Sequence, residues 1–200
     1  MGLATGLGLK GDIKAGIKYI LSISQSSHTS LATSICELCD VDKVYFMPAF
    51  ISPFKPNPIA SPKQRFEMLK LALEDEPWAF IEDIELKKEE ISYTYKSALM
   101  LKEKYQQPPT FIIGYDAYLT LDKWYRYEDL VKIANFIVVK RGKEDVFINN
   151  DIDAVFCDTR NIDISSTEIR ARIKEGKSVK YMIPDKVLEY ILKEGIYAKS

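Results

Sequence analysis

The chain is predicted to fold as one α/β domain, a mostly parallel sheet flanked by helices. Three observations predict it. Short β-branched or aromatic runs alternate with segments of helical period along the whole length. At 200 residues with 46% hydrophobic and 28% charged content, the chain is large enough to bury one substantial core. No repeat and no low-complexity linker divides it, so residues 1–200 read as a single domain, with 1–17 as a flexible or aberrant leader.

In order, the strands fall at Lys18–Ser24, Lys43–Pro48, Ala79–Asp83, Thr110–Gly114, Phe136–Lys140 and Ala154–Cys157. The helices fall at roughly Thr29–Cys39, Pro62–Glu74, Thr94–Tyr105, a short pair around Ala117–Leu121 and Arg126–Ile133, then Thr167–Glu175 and Pro184–Glu194. One long connection, Phe50–Ser61, carries prolines at 53, 56 and 58, and long loops in compact domains are often functional.

Charge and cysteine content narrow the class. A net charge of −1 excludes a chain built to hold a nucleic acid polymer or an acidic membrane surface, while local basic residues suffice for a small charged substrate. Three cysteines, an odd number, argue against a disulfide framework and for a reducing, cytoplasmic setting. No apolar run approaches membrane-spanning length, and no secretory signal is visible. A homo-oligomer is compatible with everything in the sequence.

Two motifs are decoys. Gly6-Leu7-Gly8-Leu9-Lys10-Gly11 matches G-x-G-x-x-G, but no strand precedes it. Cys36-Glu37-Leu38-Cys39 matches C-x-x-C without a second pair, and reads as two semi-buried thiols on a helix.

Open parallel sheets bind ligands beyond the carboxyl ends of their strands. There the chain carries Lys55 in a proline-stiffened loop, Ser92-Tyr93-Thr94 opening a helix, Ile113-Gly114-Tyr115-Asp116 followed by Trp124, Lys140-Arg141-Gly142, and Ile164-Ser165-Ser166-Thr167-Glu168-Ile169-Arg170. The last segment puts three hydroxyls and a guanidinium on the first turn of a helix, a phosphate-binding arrangement. The plain alternative is a capping box between Ser165 and Glu168. For Trp124 the alternative is ordinary packing among Tyr118, Tyr125 and Tyr127, and for Thr94 a helix cap.

Taken in order from Ser34 to Tyr197, these segments, with Tyr181-Met182-Ile183-Pro184 and Gly195-Ile196-Tyr197, resemble the bacterial nicotinate-nucleotide adenylyltransferase family. The resemblance implies a Rossmann-like nucleotidylyltransferase fold and adenylyl transfer from ATP to nicotinate mononucleotide, with magnesium on the phosphates. It implies ATP contacts at Ser165, Ser166, Thr167, Arg170 and Lys55, and a mononucleotide pocket at Tyr93, Thr94, Asp116 and Trp124. Catalytic roles fall to His28 and Arg170.

The first thirty-three residues depart from the family pattern. Its members carry Gly-Gly-(Ser/Thr)-Phe-Asp-Pro-x-His-x-Gly-His after the first strand, and this chain has a single histidine. Counting back from Ala32 puts His28 at the second histidine and Gln25 at the first. A frameshift or alternative start, a degenerate member, or a diverged loop using Ser24, Ser26 and Ser27 would each produce this pattern. The alternative to an enzyme is therefore a nucleotide-binding pseudoenzyme of the same family.

Overall fold

The computed structural model describes residues 19–22, 35–36, 38–39, 41–53, 58–141, 147–159 and 165–198. A six-stranded sheet runs through it: β1 Tyr19–Ser22, β2 Val44–Met47, β3 Ala79–Ile81, β4 Thr110–Gly114, β5 Asn135–Arg141 and β6 Ala154–Thr159, in the order β3-β2-β1-β4-β5-β6. Every neighbouring pair is parallel. The helices are α1 Pro62–Leu73, α2 Ile84–Lys88, α3 Thr94–Tyr105, α4 Tyr115–Tyr118, α5 Tyr127–Leu130, α6 Ser166–Lys174 and α7 Asp185–Lys193.

Alternation along the strands builds two apolar layers. Phe111, Ile113, Phe136 and Val138 face one cluster with Ala98, Leu101, Leu121 and Leu130. Their neighbours Ile112, Ile137 and Val139 face the other, with Ile35, Val44, Phe46 and Leu73. Residues i and i+2 share a face, and helices cover both sides, so the central strands read as unbroken apolar runs. A third cluster of Ile169, Val179, Ile183, Val187, Ile191 and Ile196 joins α6 and α7 to Met68, Leu71 and Ala72 of α1.

Local chemistry sets the helix ends that matter for the site. Ser61 caps α1 through a reciprocal bond pair: its Oγ accepts from Gln64 N at 3.2 Å, and its own N–H donates to Gln64 Oε1 at 2.9 Å. Pro62 occupies the first turn, where its missing N–H costs nothing. At the C-terminus of α7, Gly195 adopts φ +64°, a conformation that glycine reaches without side-chain conflict. Gly195 N donates to Leu192 O and Ile196 N to Ile191 O, the paired bonds of a Schellman cap. The turn sends Ile196 into the core and leaves Tyr197 half-buried beside α6 and α1.

All six predicted strands are present, with ends shifted by a residue or a few. Helix α3 has the predicted bounds, while α2 was not anticipated, and α4 starts at Tyr115 directly after β4. The predicted Thr29–Cys39 helix is described only at residues 35, 36, 38 and 39, which are helical. Cys39 lies against Cys157 of β6, 118 residues away, but their Cα atoms are 7.5 Å apart, wider than a disulfide ordinarily spans, so the contact does not amount to a disulfide framework. Both side chains belong to one apolar layer, so tertiary packing brings them together. The G-x-G-x-x-G decoy lies outside the described residues.

Candidate functional site

Sheet order reverses between β1 and β4, which places the ligand crevice beyond their carboxyl ends. Three groups of side chains are gathered at that edge of the sheet.

The first is the start of α6. Ser165 holds the N-cap position in extended conformation (φ −94°, ψ 130°), but its side chain makes no cap bond. The capping box is thus not formed, and Glu168 instead lies 3.7 Å from Arg172. Ser165 and Thr167 are exposed and Ser166 is half-buried. Arg170 Nη2 donates to Thr167 Oγ1 at 3.1 Å, so the guanidinium is held beside the hydroxyls at the positive end of the helix. Tyr197 is close by. Burial pushes its phenol up, while the Arg170 and Arg65 guanidinium groups pull it down.

The second group is a clamp on the chain leaving β2. Arg65, in the first turn of α1, donates from Nη1 to Ala49 O and from Nη2 to Phe50 O, the latter at 2.8 Å. The guanidinium is half-buried, and desolvation lowers its pKa while it remains charged. On the other side, Phe50 N donates to Ser92 Oγ at 2.9 Å and Ser92 N to Ile51 O at 2.8 Å. Residues 49–51 are therefore stitched to α1 on one flank and to the Ser92–Thr94 turn on the other.

The third group is aromatic. Tyr93 precedes α3 as its N-cap residue, again without a side-chain cap bond, and Thr94 is the first helical residue. The Tyr93 ring lies 4.7 Å from that of Tyr125, which joins this turn to the one carrying Trp124. Trp124 is half-buried against the apolar layer that includes Leu121 and Leu130. Arg126 stacks over Tyr95 at 4.5 Å and pairs with Asp129 at 2.7 Å. Asp116, on α4 just after β4, is exposed. On the same short helix, Tyr115 and Tyr118 accept from Phe147 N and Asn149 N, each at 2.8 Å.

The structure thus brings Ser165, Ser166, Thr167 and Arg170 together, and joins Tyr93 and Thr94 to Trp124 through Tyr125. His28 and Lys55 lie outside the described residues. Sequence reasoning missed Arg65, since an arginine on a helix is ordinary and nothing local marks its reach to a strand end. It also missed Glu85, which stands on the unanticipated helix α2.

A six-stranded parallel sheet with hydroxyls and a guanidinium at a helix start and an aromatic cluster at the carboxyl ends of its strands has the architecture of a Rossmann-like nucleotidylyltransferase domain. The cytidylyltransferase-like family model matches residues 26–172. A probable nicotinate-nucleotide adenylyltransferase of Hydrogenobaculum sp. (strain Y04AAS1) is 91% identical over 173 residues, covering 86% of this chain and 92% of that protein. The nicotinate-nucleotide adenylyltransferase of Bacillus subtilis (strain 168) is 35% identical over 174 residues, covering 86% and 91%. The solved Plasmodium falciparum nicotinic acid mononucleotide adenylyltransferase complexed with NaAD superimposes with a TM-score of 0.73 at 19% identity, covering 90% of this chain and 97% of that one. The chain belongs to the nicotinate-nucleotide adenylyltransferase family, within the cytidylyltransferase-like group.

Proposed function

We propose that this protein transfers the adenylyl group of ATP to nicotinate mononucleotide, releasing pyrophosphate and forming nicotinate adenine dinucleotide. The observation that carries the reading is the 49–51 clamp. It stitches the chain leaving β2 to α1 through Arg65 and to the Ser92–Thr94 turn through Ser92, and so supports the turn that carries Tyr93 and Thr94 at the carboxyl edge of the sheet. The names of the relatives favour a transferase over a nucleotide-binding pseudoenzyme.

In this reaction an oxygen of the mononucleotide phosphate attacks the α-phosphorus of ATP. The bond to the β-phosphate bridging oxygen breaks, and its electron pair leaves with pyrophosphate. No covalent nucleophile is needed, because catalysis comes from orienting two polyanions and stabilising the departing charge. Ser165, Ser166 and Thr167 offer hydroxyls, and the first turn of α6 offers backbone N–H groups, to the ATP phosphates. Arg170 presents a planar fork to the same anion.

On the acceptor side, the Trp124 indole stacks on the pyridine ring while Tyr93, Thr94 and Asp116 shape the pocket. His28 contacts the transferring phosphoryl group and Lys55 the ATP phosphates. The α6 start offers hydroxyls and a cationic guanidinium, which suit phosphate oxygens rather than a metal, so a magnesium ion would be held chiefly by the substrates and would supply charge neutralisation there. ATP and nicotinate mononucleotide are the partners of a cytoplasmic enzyme, and no described helix is long and apolar enough to cross a membrane.

The test is an acceptor panel. Protein, ATP and magnesium are incubated with nicotinate mononucleotide, nicotinamide mononucleotide or phosphopantetheine, and products are identified by mass. The dinucleotide of nicotinate is expected to dominate; preference for another acceptor would refute the assignment.

A further inference from the structure

Glu85 is 7% exposed, one of four polar or charged side chains buried among the described residues. It is the second residue of α2, the short helix leaving β3, and its neighbours in space are the first turns of α3. Glu85 Oε1 and Ser97 Oγ are hydrogen-bonded, while Oε2 has no hydrogen-bond partner. Ser97 Oγ also lies 3.3 Å from the carbonyl oxygen of Tyr93.

A hydroxyl carries one proton and can donate to only one of these acceptors. Tyr93 O already accepts from Ser97 N at 3.1 Å, so the Ser97 hydroxyl is free to serve Glu85 Oε1; in a protonated Glu85 the carboxyl O–H would donate to Ser97 Oγ and the hydroxyl to Tyr93 O, filling both lines at once. Burial favours this state by pushing the carboxyl up, against smaller opposing pulls from Ser97 and Ser92. Ser92 is the residue whose Oγ accepts from Phe50 N. Through Ser97 Oγ and the Tyr93 carbonyl, Glu85 is connected to the part of the Ser92–Thr94 turn that carries Tyr93, Thr94 and the Tyr125 contact. A lone buried carboxyl costs several kcal/mol in an apolar layer unless hydrogen bonds offset it. A residue there only to fill space would be apolar.

We propose that Glu85 is a positioning residue for the acceptor nucleotide: through Ser97 it fixes the turn on which Tyr93 and Thr94 meet the mononucleotide, without touching substrate itself. This rests on the adenylyl-transfer reading.

The experiment compares Glu85→Gln, Glu85→Ala and Ser97→Ala with the unaltered protein by steady-state kinetics in both substrates, with Tm measured alongside. An amide keeps a donor for Ser97, so Glu85→Gln stays within about threefold of the parent in every constant. Glu85→Ala and Ser97→Ala each break one hydrogen-bonded line and raise KM for nicotinate mononucleotide by about tenfold, the equivalent of one such bond. KM for ATP and kcat stay within about twofold. Should Glu85→Ala fail to fold, Ser97→Ala and Glu85→Gln carry the comparison. Unchanged acceptor KM in Ser97→Ala, damage by Gln equal to that by Ala, or a parallel loss in both substrates tracking Tm would overturn the role. Turnover absent from the unaltered protein would instead sink the adenylyl-transfer reading, and this role with it.

Discussion

Replacing Arg65 with Met isolates the clamp. Methionine keeps most of the aliphatic stem packed but removes both donors to Ala49 O and Phe50 O. Hydrogen bonds from a charged donor contribute roughly 1.5–3 kcal/mol each. Two are lost here, but the half-buried guanidinium also carries a desolvation cost and leaves Nε without a partner, so part of the gain was already offset. A net loss of about 2–3 kcal/mol is expected. For a domain of this size each kcal/mol lowers Tm by about 2–4 °C, giving a fall of about 4–12 °C in a thermal melt. Because residues 49–51 are bonded to the Ser92–Thr94 turn, KM for the mononucleotide should rise along with the fall in Tm. A Tm within about 1 °C of the parent with that KM unchanged would show that the strand end is held by something else, and the clamp argument would be wrong.

Other substitutions probe the groups separately. Arg170→Ala removes a charge-assisted contact to phosphate and should lower kcat/KM for ATP by about 10–100-fold, with a smaller effect from Arg170→Lys, which keeps charge without the fork; steady-state kinetics in ATP would show it. Trp124→Ala should raise KM for the mononucleotide by about 5–100-fold through lost ring stacking, and Trp124→Phe by much less, measured with ATP saturating. Gly195→Ala meets no atom within 4 Å but forces φ +64° on an L side chain, so a melt should register about 1 kcal/mol of destabilisation. The pH dependence follows from Glu85. Its folded-state pKa is raised above the usual glutamate value of 4.5, so its favourable contribution is complete below that value and is lost as pH rises through the folded-state pKa. Glu85→Gln should therefore gain stability relative to the parent between pH 5 and pH 8; an equal Tm difference at both pH values would contradict the sign.

Much of the fold could be read in advance because its signals are local. Thr110–Gly114 and Asn135–Arg141 are built on short unbroken runs of β-branched and aromatic residues bounded by polar or turn residues, and such runs mark buried parallel strands from local sequence. The hydroxyl cluster before Arg170 announced a helix start, which the structure has at Ser166, and Ser165 makes no side-chain cap bond there. Helix α2 escaped notice because five residues barely exceed one turn, too few to show a period, and the Asp83 side chain pairs with Lys87 instead of capping the helix. The Cys39–Cys157 pair, the Arg65 clamp and the Glu85–Ser97 bond link residues 118, 15–16 and 12 apart. Only the packing of sheet and helices creates those contacts, and no spacing rule announces them.

The most direct test of the account is pyrophosphate release by the purified protein with ATP, magnesium and nicotinate mononucleotide, run beside His28→Ala. The account predicts turnover in the parent and a loss of at least about tenfold in the variant, the scale of one charge-assisted contact to the transferring phosphate. No pyrophosphate from the parent, despite saturable nucleotide binding, would contradict it.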